Sequence, residues 1–360
     1  MTMQVSDFNH SSVFEDNAFN DHEQIVFCHD KPSGLKAIIA LHSTALGPAM
    51  GGTRFWNYAT SHEALTDVLR LSRGMTYKNA LAGIPFGGGK AVIIGDARKD
   101  KTDALLLAFG RHVEGLSGRY ITAEDVGISS ADMDTVSTTT RFARGTDKAG
   151  LGDPSPYTAL GVYYGIRASV KSRYGQDDIA GMTFAVQGLG AVGYGVAEHL
   201  HRAGGRLIVA DINQAAIDRA ALELDADITP VDQIHASDCD VFVPCALGAG
   251  LNQVTIPQIR AGAVAGAANN QLATPSDGKL LRDRNILYAP DYVINAGGVI
   301  SIALGKPDQP DTATVERIRM IGDTLTNIFD AADASDMPTD RVADRMAEQL
   351  VSEASANPGS

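Results

Sequence analysis

Three glycines and one aspartate have the types and spacing of a dinucleotide-binding site. Gly188, Gly190 and Gly193 form a GxGxxG motif that directly follows the apolar stretch 183–187 and opens an amphipathic one. In that setting the first glycine permits a tight turn, the second lets the backbone approach a pyrophosphate, and the third allows close helix packing. The helix N-terminus supplies N–H donors to the phosphates. Asp211, 18 residues after Gly193, can accept hydrogen bonds from the ribose hydroxyls.

The carboxylate of Asp211 also bears on which cofactor binds. Its negative charge would repel the 2′-phosphate of NADP, so NAD is favoured, although Arg202 and Arg206 nearby could offset that charge. We expect Ala191 and Val192, between the second and third glycines, to contact the cofactor as well. The sequence therefore predicts an NAD site.

Three segments nearer the N-terminus combine glycines with charged residues that could act on a substrate. They read AMGGTR at 49–54, MTYKNALAGIPFGGGK at 75–90 and TAEDVG at 122–127. Lys90 follows three glycines, 87–89, which allow either the close approach of a ligand or a simple turn. Most lysines are solvated, and an aspartate after a strand more often caps a turn. The residues alone therefore leave a catalytic and a structural role open.

Hydrophobic periodicity indicates the elements that must position these residues. In the N-terminal part it predicts strands at 35–42, 90–95 and 119–122 and helices at 61–75 and 102–115. In the second part it predicts strands at 183–187, 206–210, 240–243, 263–266 and 286–288 and helices at 157–173, 191–203 and 213–224. Because apolar strands alternate with helices there, we expect a parallel sheet covered on both faces.

The pattern predicts an α/β protein with two domains. One comprises residues 1–145 together with a C-terminal helix at about 336–360, which is expected to pack back on it. The other, at 146–335, is a doubly wound parallel sheet of the Rossmann type. A length of 360 residues supports the division, since single hydrophobic cores stop growing at roughly 250–300 residues.

Composition limits the classes of protein to which the chain can belong. The formal net charge of −13 argues against nucleic acid or an anionic membrane as partner. Cys28, Cys239 and Cys245 form neither a CxxC pair nor an even disulfide framework, so we expect a reducing cytoplasm and no metal site. Neither a signal-peptide pattern nor a run of 18 apolar residues is present, which argues against secretion and membrane insertion.

Taken together, GGGK, TAEDVG, GLGxVG and NAGG, in that order, resemble the Glu/Leu/Phe/Val dehydrogenase superfamily. The resemblance continues through PCALG (244–248), AGAANNQL (265–272) and PDYVINAGG (290–298), and it spans the chain from about 22 to 350. Among the branches of this superfamily, the leucine-oxidising one has the motifs that these sequences most resemble. The resemblance implies a substrate-binding and oligomerisation domain, a Rossmann NAD-binding domain, a deep cleft between them, and a homo-oligomer between dimer and octamer.

The same resemblance implies roles for three charged residues. Lys78 would pair with the α-carboxylate of an L-amino acid. Lys90 would be the catalytic lysine, which stabilises charge on the carbinolamine oxygen and helps to activate water. Asp125 would move the proton to and from the substrate nitrogen as general acid and base. Transfer of the Cα hydride to the nicotinamide, attack by water and loss of ammonia would then give the 2-oxo acid.

Further residues are implied to border the substrate or the cofactor. For the substrate backbone and the nicotinamide end these are Gly51, Gly52, Thr158, Asn270 and Asn295, with Cys245 and Ala246 of PCALG added on the cofactor side. Thr158 has an equally good structural explanation, because a threonine hydroxyl near a helix start commonly bonds to the backbone.

The resemblance also bears on the substrate side chain, around which it places Met50, Met75, Ala123, Val299 and Ile302. Members that use glutamate carry a lysine where this chain has Met50, and a thioether cannot compensate a buried carboxylate. Relatives that use phenylalanine or tryptophan often have glycine at the position of Ala123. The sequence therefore favours leucine, valine or isoleucine as substrate. It does not distinguish among these three, because one methylene in an apolar pocket changes the specificity only weakly.

Two alternatives stay open from the sequence. One is an aromatic amino-acid dehydrogenase with the same fold. The other is a non-catalytic sensor of nucleotides or amino acids, against which the presence of all three charged residues argues. The segment after Ile302, ALGKPDQPDTA, is shorter and richer in proline than the leucine-oxidising pattern.

Overall fold

The computed structural model describes residues 13–146, 153–246, 248–305 and 312–356. Residues 306–311, which belong to the Pro-rich segment after Ile302, lie outside the described residues. The strands are β1 (Gln24–Asp30), β2 (Leu35–Ser43), β3 (Ala49–Trp56), β4 (Gly87–Ile94), β5 (Tyr120–Ala123), β6 (Thr183–Gln187), β7 (Arg206–Ala210), β8 (Asp227–Ile228), β9 (Val241–Pro244), β10 (Ala263–Val264) and β11 (Leu287–Tyr288). The helices are α1 (Ser61–Leu81), α2 (Asp103–Gly115), α3 (Ser130–Ser137), α4 (Ser155–Tyr174), α5 (Ala191–Arg202), α6 (Gln214–Leu224), α7 (Asp277–Asp283), α8 (Asp291–Ile294), α9 (Gly297–Leu304), α10 (Thr312–Ser335) and α11 (Thr339–Ala356). No helix among the described residues is long and apolar enough to cross a membrane.

The described residues form two compact units. Unit 1 takes residues 13–76, 85–146 and 354–356, and unit 2 takes residues 77–84 and the described residues from 153 to 353. The units therefore differ from the predicted domain boundaries at the last turn of α1 and at nearly all of α11, both of which belong to unit 2.

The C-terminal helix α11, expected with the first domain, is anchored within unit 2 by polar contacts. The hydroxyl of Thr339 donates to the carbonyl of Tyr288 at 2.6 Å, where β11 ends. Its apolar side, Val342, Ala343 and Ala347, is buried. The amphipathic pattern predicts the helix itself but not which neighbour its apolar side meets.

Unit 1 is built on a five-stranded mixed sheet with a helix on each face. The strand order is β1-β2-β4-β3-β5, antiparallel from β1 to β4 and parallel from β4 to β5. The side chains of β2 alternate between two cores: Ile38 and Ala40 pack with residues of α1, and Ile39 and Leu41 with residues of α2. This period of two is the property of a strand that is buried on both faces.

The glycine-rich segments of unit 1 are strands, and their glycines are required by close packing between neighbouring backbones. A Cβ atom on Gly51 would lie 1.9 Å from the carbonyl oxygen of Gly89, and one on Gly88 would lie 2.1 Å from the amide nitrogen of Thr76 on α1. The glycines at 87–89 therefore neither turn nor stay open to a ligand. They let β4 lie against β3 and α1, which fixes the position of Lys90 at the fourth residue of β4.

Unit 2 has the doubly wound fold that the sequence predicts. Its six-stranded sheet is parallel throughout, in the order β11-β10-β9-β6-β7-β8, so that β6 is central and the chain proceeds outward first on one side and then on the other. This is the strand order of dinucleotide-binding folds, whose ligands bind where the order reverses, at the carboxyl ends of the central strands. In unit 2 those strands are β6 and β9.

The predicted elements are confirmed at β6 and β7 to the residue, whereas others were missed or cut short. Strands β1, β3 and β8 and helices α3, α7, α8, α9 and α10 have no predicted counterpart. Helix α1 continues six residues past its predicted end. The prediction stopped early because the buried residues Thr76 and Asn79 are polar and interrupt the apolar period. The longer helix includes Lys78 in its last turn.

Candidate active site

Lys90 and Asp125 form a close ion pair in unit 1. The Nζ atom of Lys90 lies 2.7 Å from the Oδ2 atom of Asp125, and the lysine side chain is only 7% exposed. Asp125 follows β5 by two residues, in a turn closed by a hydrogen bond from the amide of Ile128 to the carbonyl of Asp125. Gly52 of β3 lies beside it, where a Cβ atom would be 2.9 Å from the Cβ of Asp125. Two of the three charged residues that the family resemblance singles out are thus brought together.

The electrostatic surroundings keep Asp125 ionised. Burial by itself would raise the pKa of Asp125, but the ammonium of Lys90, through its charge and its hydrogen bond, and the charge of Arg54 outweigh burial and hold that pKa below the usual aspartate value. In this structure Asp125 is therefore a carboxylate at neutral pH, which can accept a proton. That is the state a general base needs.

Arg54 is a site residue that the sequence reasoning missed. Its Nε atom lies 3.4 Å from Oδ2 of Asp125, and its Nη1 atom lies 2.9 Å from Oδ2 of Asp67 on α1. The signal in the sequence was the arginine that ends AMGGTR, a charged residue that directly follows the buried residues 49–53 of β3. Its partners are distant in sequence, so the motif alone did not reveal them.

Hydrogen bonds beneath the ion pair hold its backbone segments in place. The hydroxyl of Tyr120 donates to the carbonyl of Gly51 at 2.7 Å. Lys101 lies on the other side of the turn that carries Asp125, and its ammonium donates to the carbonyl of Gly127 and to the carboxylate of Asp132. The turn is tied to the sheet by the amide of Phe55, which donates to the carbonyl of Val126 at 2.8 Å, and to the start of α3 through Lys101.

A buried histidine layer lies under the glycines of β4. His42 Nδ1 is 2.8 Å from the hydroxyl of Thr76, the residue that fills the space beside Gly88, and the rings of His22 and His42 meet edge to face at 4.8 Å. Burial, the neighbouring His22 and the charge of Arg73 lower the pKa of His42 to about 4. Both rings are thus neutral in the folded protein at neutral pH, since burial lowers the pKa of His22 as well.

This layer predicts that the protein loses stability in mild acid. Below the ordinary histidine pKa of about 6.5 the unfolded chain binds a proton that folded His42 refuses, so the free energy of unfolding should fall between about pH 6.5 and pH 4, by about 3 kcal/mol for this residue. Urea unfolding followed by the fluorescence of Trp56, in β3 of unit 1, measures the loss. His42→Gln should flatten the dependence over this range and the exposed control His29→Gln should not; equal slopes in all three proteins would contradict the assignment.

In unit 2, Lys78 is linked to Asn295. The Nζ atom of Lys78 donates to Oδ1 of Asn295 at 2.7 Å, and the Nδ2 of Asn295 donates to Oδ1 of Asn269 at 2.7 Å and to the carbonyl of Ala267 at 3.1 Å. Two residues expected near the substrate carboxylate are therefore joined. Asn269 was missed, because the sequence reasoning selected its neighbour Asn270, whose backbone has a positive φ of 52° and whose side chain is exposed.

Helix α11 contacts both segments that carry this pair. Tyr77, next to Lys78, donates its hydroxyl to Glu348 at 2.8 Å, and Tyr292, in α8 just before Asn295, donates to Asp344 at 2.8 Å. The two carboxylates are four residues apart and so lie on one face of the helix. The helix thus braces the Lys78–Asn295 pair from a part of the chain that carries no motif.

The glycines of NAGG are required by the start of α4. A Cβ atom on Gly297 would lie 2.1 Å from the carbonyl oxygen of Tyr157, and one on Gly298 would lie 2.6 Å from the hydroxyl of Thr158. That hydroxyl also donates to the carbonyl of Pro154 at 3.1 Å, which is a backbone hydrogen bond of the kind expected for a threonine near a helix start. Thr158 therefore lies against the NAGG segment while it also completes the first turn of its helix.

The predicted nucleotide loop lies at the carboxyl end of β6. Gly188 has a positive φ of 93°, and a Cβ atom on Gly193 would lie 2.0 Å from the carbonyl oxygen of Gly188, so α5 meets the loop closely. Cys245 and Ala246, at the end of β9, pack against the same glycines. By contrast a Cβ atom on Gly190, the residue that caps α5, would meet nothing within 4 Å.

Asp211 connects this loop to the end of β7. One carboxylate oxygen accepts a hydrogen bond from the amide of Leu189 inside the glycine loop, and the other accepts one from the amide of Asn213 at 2.7 Å. Each carboxylate oxygen has a second lone pair, so both can still accept from a ribose. Ile212, beside it, is 94% exposed.

The residues expected around the substrate side chain are distributed over both units. In unit 1, Met50 is 1% and Ala123 5% exposed, whereas Met75 is half-buried with its Cγ 3.0 Å from the Cβ position of Gly51. In unit 2, Val299 and Ile302 are half-buried on α9. In unit 1 the side chain of Met50 is thus packed inside the protein.

Two sequence models of one family match the chain. The model described as "Glu/Leu/Phe/Val dehydrogenase, dimerisation domain" matches residues 22–142, and the one described as "Glutamate/Leucine/Phenylalanine/Valine dehydrogenase" matches residues 209–308. Together they contain Lys78, Lys90, Asp125 and Asn295.

Named relatives match over nearly the whole chain. It is 50% identical over 333 residues to a leucine dehydrogenase from Geobacillus stearothermophilus, covering 92% of this chain and 91% of the relative. It is 47% identical over 338 residues to a valine dehydrogenase from Streptomyces virginiae, covering 92% and 94%. A crystal structure of L-tryptophan dehydrogenase from Nostoc punctiforme matches with a TM-score of 0.84 and 43% identity, over 94% of this chain and 98% of that one.

Proposed function

Since the chain belongs to the Glu/Leu/Phe/Val dehydrogenase family, whose members are nicotinamide-dependent, we propose that it oxidatively deaminates branched-chain L-amino acids, reversibly and with NAD, to 2-oxo acids and ammonia. The observation that carries this proposal is the buried ion pair of Lys90 and Asp125, 2.7 Å apart. It argues against a non-catalytic sensor of nucleotides, which needs no buried carboxylate paired with a lysine, and the retention of Lys78, Lys90 and Asp125 together argues against a non-catalytic sensor of amino acids.

Each charged residue has a task that its surroundings suit. Lys78, with Asn295 bound to its ammonium, binds the α-carboxylate of the substrate. Asp125, as a carboxylate, takes the proton from the substrate nitrogen. Lys90 stabilises the oxygen that forms when water adds to Cα and helps to activate that water. When bound, the nicotinamide accepts the hydride from Cα.

The residues of unit 2 fit a dinucleotide. The empty space on the Gly190 side of the loop and the free N–H groups at the start of α5 suit a pyrophosphate, since no side chain caps that helix. The carboxylate of Asp211 at the end of β7 suits an unphosphorylated ribose and therefore NAD. Thr158 and Asn270 are proposed for the nicotinamide end, with Ala191, Val192, Cys245 and Ala246 beside the phosphates.

The preference for a branched aliphatic side chain rests on Met50, Met75, Ala123, Val299 and Ile302, all apolar. Relatives named for leucine and valine, at 50% and 47% identity, support it. An aromatic amino acid is the second candidate, which the match to an L-tryptophan dehydrogenase favours. We propose Ala123 as the discriminating residue, because a methyl group in place of hydrogen takes space that a ring would need.

We further propose that the chain self-associates, since the model matched by residues 22–142 describes a dimerisation domain. Its three free cysteines, of which Cys28 and Cys239 are buried, suit the reducing cytoplasm. Size-exclusion chromatography with light scattering measures the assembly; a monomer at micromolar concentration would contradict this part of the proposal.

A spectrophotometric screen tests the proposed function. The twenty L-amino acids are each incubated with NAD at alkaline pH, NADH formation is recorded, and the best substrate is repeated with NADP. We expect leucine, valine and isoleucine to give the highest kcat/KM, within about 10- to 200-fold of one another, because one methylene in an apolar pocket discriminates no further. NAD should be preferred over NADP.

The screen separates the alternatives. A large preference for phenylalanine or tryptophan would replace the branched-chain assignment with the aromatic one. NADH formation from none of the twenty would refute the enzyme assignment. Equal rates with NADP would contradict the role given to Asp211.

A further inference from the structure

Arg54 lies on β3 between two carboxylates of unit 1. Its Nη1 atom is 2.9 Å from Oδ2 of Asp67, and that same oxygen accepts the hydroxyl of Tyr58 at 2.6 Å. Its Nε atom is buried, makes no hydrogen bond to any described residue, and lies 3.4 Å from Oδ2 of Asp125. The guanidinium is thus bound by Asp67 at Nη1, and its buried Nε lies within ion-pair distance of Asp125 without a hydrogen bond to it.

Asp125 is therefore approached at one oxygen by two cations. Lys90 of β4 lies 2.7 Å from Oδ2 and Arg54 of β3 lies 3.4 Å from it. The other ionisable groups nearby do not compete: Tyr120 of β5 donates its hydroxyl to a backbone carbonyl, and Glu124 accepts a hydrogen bond from Ser130. With Asp67 and Tyr58 behind Arg54, the cluster holds two positive and two negative charges.

A lone lysine–aspartate pair would leave the aspartate without a neighbouring positive charge whenever the lysine is neutral, and the second cation supplies that charge. Two groups this close titrate as a coupled pair, so that when the lysine loses its proton the aspartate loses the charge that kept it ionised. An aspartate buried beside a neutral lysine would then take up a proton. A guanidinium keeps its charge at every pH at which proteins fold, so it favours the ionised form of Asp125 whether Lys90 is charged or neutral.

We propose that Arg54 is a positioning residue, held by Asp67, that keeps Asp125 ionised and oriented while Lys90 gives up its proton during the reaction. This deepens the proposed function and rests on it where turnover is concerned. Arg54 does not touch the substrate in this proposal; it acts through Asp125. A positive charge then stays beside Asp125 when Lys90 is neutral.

The test is the pH dependence of kcat/KM for the best amino acid in Arg54→Met, which removes the charge and keeps an unbranched side chain. Loss of a nearby positive charge should raise the pKa of Asp125, so the acid limb of the profile should move to higher pH by about one unit. The titration of the substrate is the same in every variant and cannot cause the shift. A lower but unshifted profile would overturn the proposal, because a purely structural role reduces the height alone.

Three further variants sharpen the test. Arg54→Lys restores the charge and should return the acid limb to its original pH, although its single ammonium lacks the fork that reaches both carboxylates. Arg54→Gln is a second neutral variant, in case the methionine protein does not fold, and should shift the acid limb as Arg54→Met does. Arg70→Gln removes an exposed arginine from the neighbouring α1 and should leave the acid limb in place; a shift there equal to that of Arg54→Gln would overturn the proposal.

A measurement without turnover separates this proposal from the proposed function. The side-chain carboxyl of Asp125 is followed by ¹³C NMR in protein labelled at aspartate, and its signal is identified by its loss in Asp125→Asn. The titration midpoint should rise by about one pH unit in Arg54→Gln. If the wild-type protein oxidises no amino acid but the midpoint rises, the proposed function fails and the role of Arg54 holds. If the midpoint is unmoved, the role of Arg54 fails whatever the activity.

Discussion

Replacing Lys90 with alanine, or Asp125 with asparagine, is expected to lower kcat for amino-acid oxidation by about 10²–10⁴-fold while nucleotide binding is kept. The first change removes the cation that stabilises the forming oxygen, and the second removes the only carboxylate paired with it at 2.7 Å among the described residues. Because the two act on one reaction, the double variant should cost little more than the worse single variant. Steady-state measurement of NADH formation at saturating substrate gives kcat, and single-turnover measurement gives the rate constant of the hydride-transfer step.

Nucleotide binding is the control for this prediction. The loop of Gly188, Gly190 and Gly193 belongs to unit 2, so NADH titrations by fluorescence should give the same Kd in wild-type protein and in both variants. Lys99→Ala, which removes a lysine whose side chain is 79% exposed, should leave kcat unchanged. Unchanged turnover in both Lys90→Ala and Asp125→Asn would remove these residues from the mechanism.

Replacing Lys78 with methionine is expected to lower kcat/KM by between about 30-fold and about 4,000-fold. Removing one partner of a buried, hydrogen-bonded charge pair costs about 2–5 kcal/mol, and the substrate carboxylate would be left without its cation. The side chain of Asn295, which accepts from Lys78 at 2.7 Å, cannot replace that charge. Methionine keeps the length of the side chain, so the loss reports the ammonium.

Two inhibitors that each carry one charged end of leucine identify which end Lys78 binds. Inhibition by 4-methylpentanoate, which has the carboxylate and lacks the amine, should weaken strongly in Lys78→Met. Inhibition by 3-methylbutylamine, which has the amine and lacks the carboxylate, should not weaken. Lys36→Met, a change at an exposed lysine of β2, should affect neither. Equal weakening of both inhibitors in Lys78→Met would contradict the carboxylate role.

The sequence predicted most accurately where local chemistry dictates local structure. The glycine loop after β6 and the aspartate after β7 lie at the carboxyl ends of adjacent parallel strands, because a βαβ unit leaves no other arrangement. The glycines of β4 were ambiguous, since either a turn or a close approach satisfies a run of glycines. Only the structure shows that these glycines are needed for close packing, because the backbone of β3 and Thr76 occupy the space where a side chain would be.

What the sequence left out depends on partners far apart along the chain. Arg54 and Asp125 are brought together by the pairing of β3 with β5, and no periodicity of either segment predicts that contact. The hydrogen bonds of Tyr77 and Tyr292 with α11 join residues that belong to different parts of the chain. Such contacts follow from the tertiary fold, whereas motifs report only what lies within a few residues.

The crowded glycines of β4 constrain how this protein can evolve. Only a hydrogen atom fits at Gly88 beside Thr76, and only a hydrogen at Gly51 beside Gly89, so almost every point mutation there is closed to selection. The amino-acid sequence of the strand that carries Lys90 can therefore hardly change. In the pocket that we propose, new substrate preferences would arise at side chains that can change size, such as Ala123, Val299 and Ile302, so the lineage could change the amino acid it oxidises while it inherits the chemistry unchanged.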